Sequence, residues 1–257
     1  MRHLLRAVCL LAVAALGCGG NPESTPPAPS SSEAMAADDT SDALRINPVA
    51  FNPHSHPYGT SMSRWAEKLW SWVFSVPAAQ NPFFDTTGVD CAVNQPDGPV
   101  WYLAPAPDPG GLATVTRSCT IPRGRAVLIL LSGVFNDFPC PDPTFAPADG
   151  QTLYEFLLAG SHFGPDAINF QNLTVDGNKL QRIFDYHETS PDVFNFTGDI
   201  SLQTSLDGCV TGSQQQAVTD NFVIMLRPLG KGGHTIVYHV KDVHGTDLTV
   251  NYLLTVQ

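Results

Sequence analysis

Eight histidines, 24 acids and six cysteines hold most of the chemical potential of this 257-residue chain. His54 and His56 stand one residue apart in Asn52-Pro-His-Ser-His-Pro57. Two imidazoles that close can chelate a cation if a third ligand arrives from elsewhere. Asp137 and Asp142 flank Cys140 in a Pro-rich loop that also holds Asp149, and Asp85 and Asp90 precede Cys91. Oxygen-rich loops suit a hard cation such as calcium. His54, His56, Asp137 and Asp142 are therefore the candidate metal ligands. The acids do not follow the Asp-x-[Asp/Asn]-x-[Asp/Asn]-Gly spacing of a calcium loop, and turn capping is the ordinary work of Asp in such places. No cofactor is expected.

The other histidines offer less. His234 and His239 fall on opposite faces of one strand and cannot share a ligand. His244 reads as a turn residue, and His162 and His187 have no readable partner. A Gly-x-Ser-x-Gly elbow and a phosphate loop are both missing. Gly230-Lys-Gly-Gly233 lacks the Lys-Ser/Thr ending and reads as a tight β turn. No catalytic residue is named. The leading expectation is a non-enzymatic binding or structural module. Its rival is a hydrolase whose His and Asp meet only in the fold. A pocket holding His and an acid within hydrogen-bond reach, with perturbed titration, favours the rival.

Trp70, Phe74 and Trp101 are the candidate ligand surface, because aromatic faces stack on sugars. A carbohydrate or cell-surface ligand would use them, whereas core packing would bury them.

Six cysteines divide by position. Cys9 lies in an apolar leader, and Cys18 follows it. Cys91, Cys119, Cys140 and Cys209 form an even set, which in an exported chain reads as disulfides. Three connectivities are open. Cys91–Cys119 with Cys140–Cys209 is preferred: the first pair staples a strand to a Gly/Pro-rich loop, the second ties a Pro-rich loop to a distant one. A zinc site is the alternative, without any Cys-x-x-Cys spacing to support it.

The positioning elements are mainly β. Trp65, Leu69, Trp72, Val73 and Val76 recur at helical spacing after Thr60-Ser61, and Pro77 ends the run. Thr152–Ala159 reads as a second, short helix. Val100–Ala104, Leu173–Val175, Leu180–Phe184, Ile200–Thr204 and Phe222–Leu226 read as strands, with Asp176-Gly177 as a hairpin turn. Ala126–Leu131 is a continuous apolar run, as in a strand covered on both faces. Ile236, Tyr238 and Val240, then Leu248, Val250, Tyr252, Leu254 and Val256, alternate as a terminal hairpin. These predict a β-sandwich, immunoglobulin-like or jelly-roll-like, with one N-terminal amphipathic helix and one short helix.

The address lies at the start. Arg2, His3 and Arg6 precede the apolar run Ala7–Leu16, which is too short to span a membrane and has the order of a secretory signal peptide. The site after it resembles a bacterial lipobox with Cys18 as the lipidated residue. In that resemblance Gly19 directs the protein to the outer membrane, and ordinary cleavage near Gly17 would leave it in the periplasm. Residues 1–17 are read as signal, 18–46 as a Pro/Ser/Ala-rich tether and 47–257 as one domain. Loss of residues 1–17 leaves 11 Lys+Arg against 24 Asp+Glu, about −13 net. That balance argues against a nucleic-acid partner and leaves a lipid anchor as the contact with the membrane.

One further pattern is Trp65-x4-Trp70-x-Trp72, Asn81-Pro82, Asp85-Thr-Thr-Gly88-Val-Asp-Cys91, Gly98-Pro-Val-Trp101-Tyr-Leu103 and Arg117-Ser-Cys119-Thr-Ile-Pro122-Arg-Gly124. It resembles an uncharacterised family of bacterial exported proteins. The resemblance implies export and the Cys91–Cys119 pair, and it brings no activity with it.

Overall fold

The protein is described here by a computed structural model covering residues 47–257. The segments expected as signal peptide and tether, with Cys18, lie outside the described residues. The chain is mainly β, with two sheets and a helical layer. The first sheet has the order β1 (Val100–Leu103), β3 (Ala126–Phe138), β8 (Gln214–Leu226) and β6 (His187–Thr189), with β7 (Phe194–Thr197) also on β8. The second runs β2 (Leu112–Ile121), β10 (Asp247–Val256), β9 (Gly232–Asp242), β4 (Ile168–Val175) and β5 (Asn178–Lys179). Both sheets are mixed: β1 lies parallel to β3, and β2 parallel to β10.

The apolar run of β3 explains the layering. Successive strand residues face opposite sides. Val127, Ile129 and Leu131 enter the core between the sheets, against Leu173, Tyr238 and Val250. Ala126, Leu128 and Leu130 face a separate core with α1 (Met62–Ser75). The expected strand covered on both faces is therefore present. Helix α1 begins where the Ser61 hydroxyl accepts the Arg64 N–H at 3.3 Å, and it stops ahead of Pro77. Burying Leu69, Val73 and Phe74 contributes about 2 kcal/mol each.

β3 and β8 have 13 residues each, longer than any neighbour in the second sheet. The far end of their inner face is packed by α2 (Leu153–Ser161) and α3 (Phe163–Ala167). The Thr152–Glu155 capping box starts α2. Two glycines allow close contacts at this end of β3: Gly164 for the approach of α3, and Gly133 for the Asn221 side chain of the neighbouring strand. A Cβ on Gly164 would stand 2.3 Å from Val134 Cγ2, and one on Gly133 would stand 2.1 Å from Asn221 Oδ1.

The terminal hairpin has the expected register, with Leu248 opposite Val240, Val250 opposite Tyr238 and Tyr252 opposite Ile236. Asp176 and Gly177 turn with φ of 50° and 77°, as a two-residue hairpin turn requires. Two expected strands differ. Ile200–Gln203 is a 3₁₀ turn, because Asp199 accepts the Ser201 N–H at 2.9 Å and Leu202 turns into the core. After two residues of β5 the chain drops Leu180 into the core and coils as a 3₁₀ turn over Ile183–Tyr186.

Disulfides join Cys91 to Cys119 and Cys140 to Cys209, the preferred pairing. Their presence indicates an oxidising, exported environment. Among the described residues no helix is long and apolar enough to cross a membrane.

Candidate functional site

The residues singled out in the sequence do not gather. Trp70, Phe74 and Trp101 retain only 6%, 2% and 5% of their surface, so the exposed aromatic platform is overturned. The physical reason is that these rings hold layers together. Phe74 stacks on Phe135 at 4.2 Å, and the Trp70 indole donates to Asn221 Oδ1 at 2.9 Å beneath Gly133. Trp101 fills the core between the sheets, with Arg125 over its ring.

The metal candidates are dispersed. His54 pairs with Glu188, its Nδ1 lying 3.0 Å from Oε1, while His56 is exposed. Asp142 caps a turn, accepting the Thr144 N–H and hydroxyl at 2.8 and 2.7 Å. Asp85 does the same for Thr87. Asp137 is brought near Asp207 and Cys209, with ligand-type atoms within 4.8 Å of one another. That set has no free thiolate, since the Cys209 sulfur is in a disulfide. The Gln215 amide stands among these groups, with Nε2 at 2.9 Å from Asp137 Oδ2, Pro139 O and Cys209 O. Burial, and then the neighbouring Asp207 charge, push the Asp137 carboxyl up to about 7.

Two other constellations emerge. The first is centred on Asp220, fully buried on β8. Its Oδ2 lies 2.8 Å from His162 Nδ1, at the α2–α3 junction. Its Oδ1 lies 2.7 Å from His187 Nε2 on β6 and accepts the Thr189 hydroxyl at 2.7 Å. The imidazoles are 47% and 38% exposed, so one hidden carboxylate carries two solvent-facing rings. The hydrogen bond to Asp220 raises the His187 pKa above its ordinary value. Burial would raise the pKa of Asp220, yet the bonds from His187, Thr189 and His162 leave it lowered. One carboxylate charge can neutralise one imidazolium, so His187 can hold a proton against Asp220 while His162 places a second imidazole on the same carboxylate.

Nothing local in the sequence marked Asp220. It sits among Thr219, Asn221 and Phe222, and its histidine partners are 58 and 33 residues away. The one usable signal was an acid inside an otherwise buried strand, which requires partners.

The second constellation is a cleft of about 360 Å³ between the sheets. β1 pairs with β3 only as far as Leu103 and Ile129. The chain then leaves β3, because Arg117 and the Tyr252 hydroxyl both hold the Ala104 carbonyl. Beyond Ile129, β3 is paired on its β8 side alone among the described residues. Leu130–Val134 line the cleft along this open edge, with Phe83, Ala106, Ala167 and Leu248 among the apolar walls. Asp108, Asp242 and His244 are its ionisable residues, and no His–carboxylate side-chain bond joins them.

No protein-family model matches the chain, and no curated protein matches it. Among solved structures it is similar to one described as "Structure of PbICP-C in complex with falcipain-2", at 12% identity over 62% of this chain and 100% of that one. The TM-score of 0.23 is too low to carry an argument.

Proposed function

We propose that the protein is an exported binding module of the cell envelope that takes its ligand in the cleft along the open edge of β3. Attachment is through lipid on Cys18, at the outer membrane; release into the periplasm is the alternative. The carrying observation is the form of the cleft: about 360 Å³, largely apolar, with a few polar groups at its mouth and unpaired strand edge within it. Ligand sites ordinarily have this build. The lipobox-like sequence at Ala15-Leu-Gly-Cys18 and the two disulfides support the address. The buried aromatic residues remove the basis for a sugar platform, so the ligand is assigned to the cleft.

Trp70 lines the cleft and serves as its reporter. A neutral apolar fluorophore such as Nile red should bind at one saturable site and quench Trp70. Ala106→Trp, which fills the cleft, should abolish binding while the circular dichroism stays native. Dye binding that survives this substitution in a folded protein sinks the assignment.

A second reading rests on His162–Asp220–His187. Two imidazoles on one carboxylate supply an acid and a base together, which suits hydrolysis of an ester, glycoside or phosphodiester. It predicts turnover in a panel of chromogenic substrates, with a loss of about 100-fold or more in His187→Gln. Absence of turnover across the panel, or turnover untouched by His162→Gln and His187→Gln together, discards it.

A further inference from the structure

The cleft has features that select among ligand classes. A strand in an antiparallel ladder turns the N–H and C=O of alternate residues towards each neighbour. β3 keeps its β8 neighbour on both sides of a bulge between Leu130 and Ser132, so from Ser132 onward every second residue presents a donor and an acceptor to the open side. Such an edge is a template for another strand. Natural sheets blunt exposed edges with lysine, proline or a covering segment. Leu130-Leu-Ser-Gly-Val134 has neither residue; it carries a bulge between Leu130 and Ser132, after which the ladder to β8 resumes, and the cleft runs beside it. Five residues of strand span about 17 Å.

The mouth adds charge and apolar surface. Asp108, Asp242 and His244 line it, with no lysine or arginine among the described lining residues. Each acid spends Oδ1 within the fold: Asp108 accepts the Gly110 N–H and, across the chain, the Thr246 hydroxyl, and Asp242 accepts the His244 and Thr246 N–H groups of its turn. Among the described residues neither forms a salt bridge with a lysine or arginine. Leu112 and Val243, near this turn, are 81% and 65% exposed. Two acids without a lysine or arginine partner, with only the His244 imidazole beside Asp242, complement a basic side chain, and the flanking apolar residues complement the rest of a segment.

Resting on the cleft reading above, we propose that the occupant is an extended segment of another polypeptide. It adds as a strand to the open edge of β3 and sets a lysine or arginine against Asp108 and Asp242. Backbone hydrogen bonds provide the affinity and the acidic mouth provides the direction, as in other cases of strand addition.

The test uses the whole exported protein and acetylated heptapeptides of alternating valine and threonine, with lysine at one end or the other. One of the two should bind saturably, and the amide signals of residues 131–135 should shift and gain exchange protection. N-methylation of alternate backbone nitrogens, which leaves every side chain in place, should weaken binding at least about 30-fold. Exchanging the lysine for glutamate should weaken it about tenfold. Asp108→Asn with Asp242→Asn, which keeps turn acceptors in place, should erase that preference. Equal binding of the N-methylated peptide overturns strand addition. If Nile red binds the cleft and neither peptide does, the polypeptide occupant is wrong and the cleft reading stands. If neither dye nor peptide binds, both fall. Concentration-dependent dimerisation that protects residues 131–135 would identify the occupant as a second copy and overturn the proposal.

Discussion

Two buried charges in this molecule are satisfied in opposite ways. Arg117 on β2 is 2% exposed and, among the described residues, has no carboxylate partner. Its guanidinium donates to the Asp85, Ala104 and Phe83 carbonyls at 2.6, 2.7 and 3.0 Å and to the Tyr252 hydroxyl at 2.7 Å. Asp220 is equally buried but is held by two half-exposed imidazoles and a hydroxyl. Carbonyl oxygens do not titrate, so the Arg117 knot is indifferent to pH. Imidazoles titrate near neutrality, so the Asp220 cluster responds to the medium. A buried charge is a strut when main chain surrounds it, and a chemically active group when titratable side chains link it to solvent.

The sharpest way to break this comparison is at Arg117. Arg117→Met leaves three carbonyls and the Tyr252 hydroxyl short of a donor at the junction of β1, β2 and the Phe83–Asp85 loop. A loss of about 3–5 kcal/mol is expected in urea unfolding, unchanged between pH 5 and pH 8. A loss below about 1 kcal/mol would mean that water takes the place of the guanidinium.

Asp137 is a third buried ionisable group, and it sharpens the comparison because, among the described residues, no cation pairs with it. Its folded pKa of about 7 lies above the ordinary aspartate value. The folded state therefore holds a proton that the unfolded chain has released. Its stabilising contribution is complete below about pH 4 and is lost as pH rises towards 7, with a total on the order of 4 kcal/mol. Asp137→Asn keeps the Gln215 contact and should flatten the stability profile over that window, leaving the variant the more stable at pH 8. A slope that survives the substitution assigns the proton elsewhere.

Much of this architecture was legible in the sequence. The terminal hairpin could be read because its inner face is buried and its outer face is wet, so composition alternates with the pleat. Helix α1 could be read because Ser61 and Pro77 mark its ends and one wide stripe is apolar. The same aromatic stripe misled the site assignment: density of Trp and Phe is the same for a platform and for a core between two layers. Asp220, the cleft and the 3₁₀ turn at Ile200 were not readable. Each depends on partners far along the chain or on where β1 parts from β3, and local periodicity carries no information about either.

Asp220→Asn should cost about 2 kcal/mol, the value of hydrogen bonds to a charged group. Its sharper consequence is electrostatic. The raised pKa of His187 comes first from its bond to Asp220. Below the ordinary histidine value that interaction stabilises the fold in full, and the contribution is lost as pH rises through the folded pKa. In Asp220→Asn the His187 titration, followed by its ring proton resonances, should move down, and this part of the pH dependence should vanish.

The smallest effect separates the two imidazoles. His162 and His187 are half-exposed, so solvent screens their bonds to Asp220, and His162→Gln or His187→Gln alone should cost less than about 1 kcal/mol. Each substitution leaves Asp220 one histidine, and the remaining ring no longer shares the single negative charge. In His162→Gln the His187 pKa should therefore rise further. If it does not move, His162 does not compete with His187 for the Asp220 charge, and an acid and a base poised together on one carboxylate is the wrong description of this site.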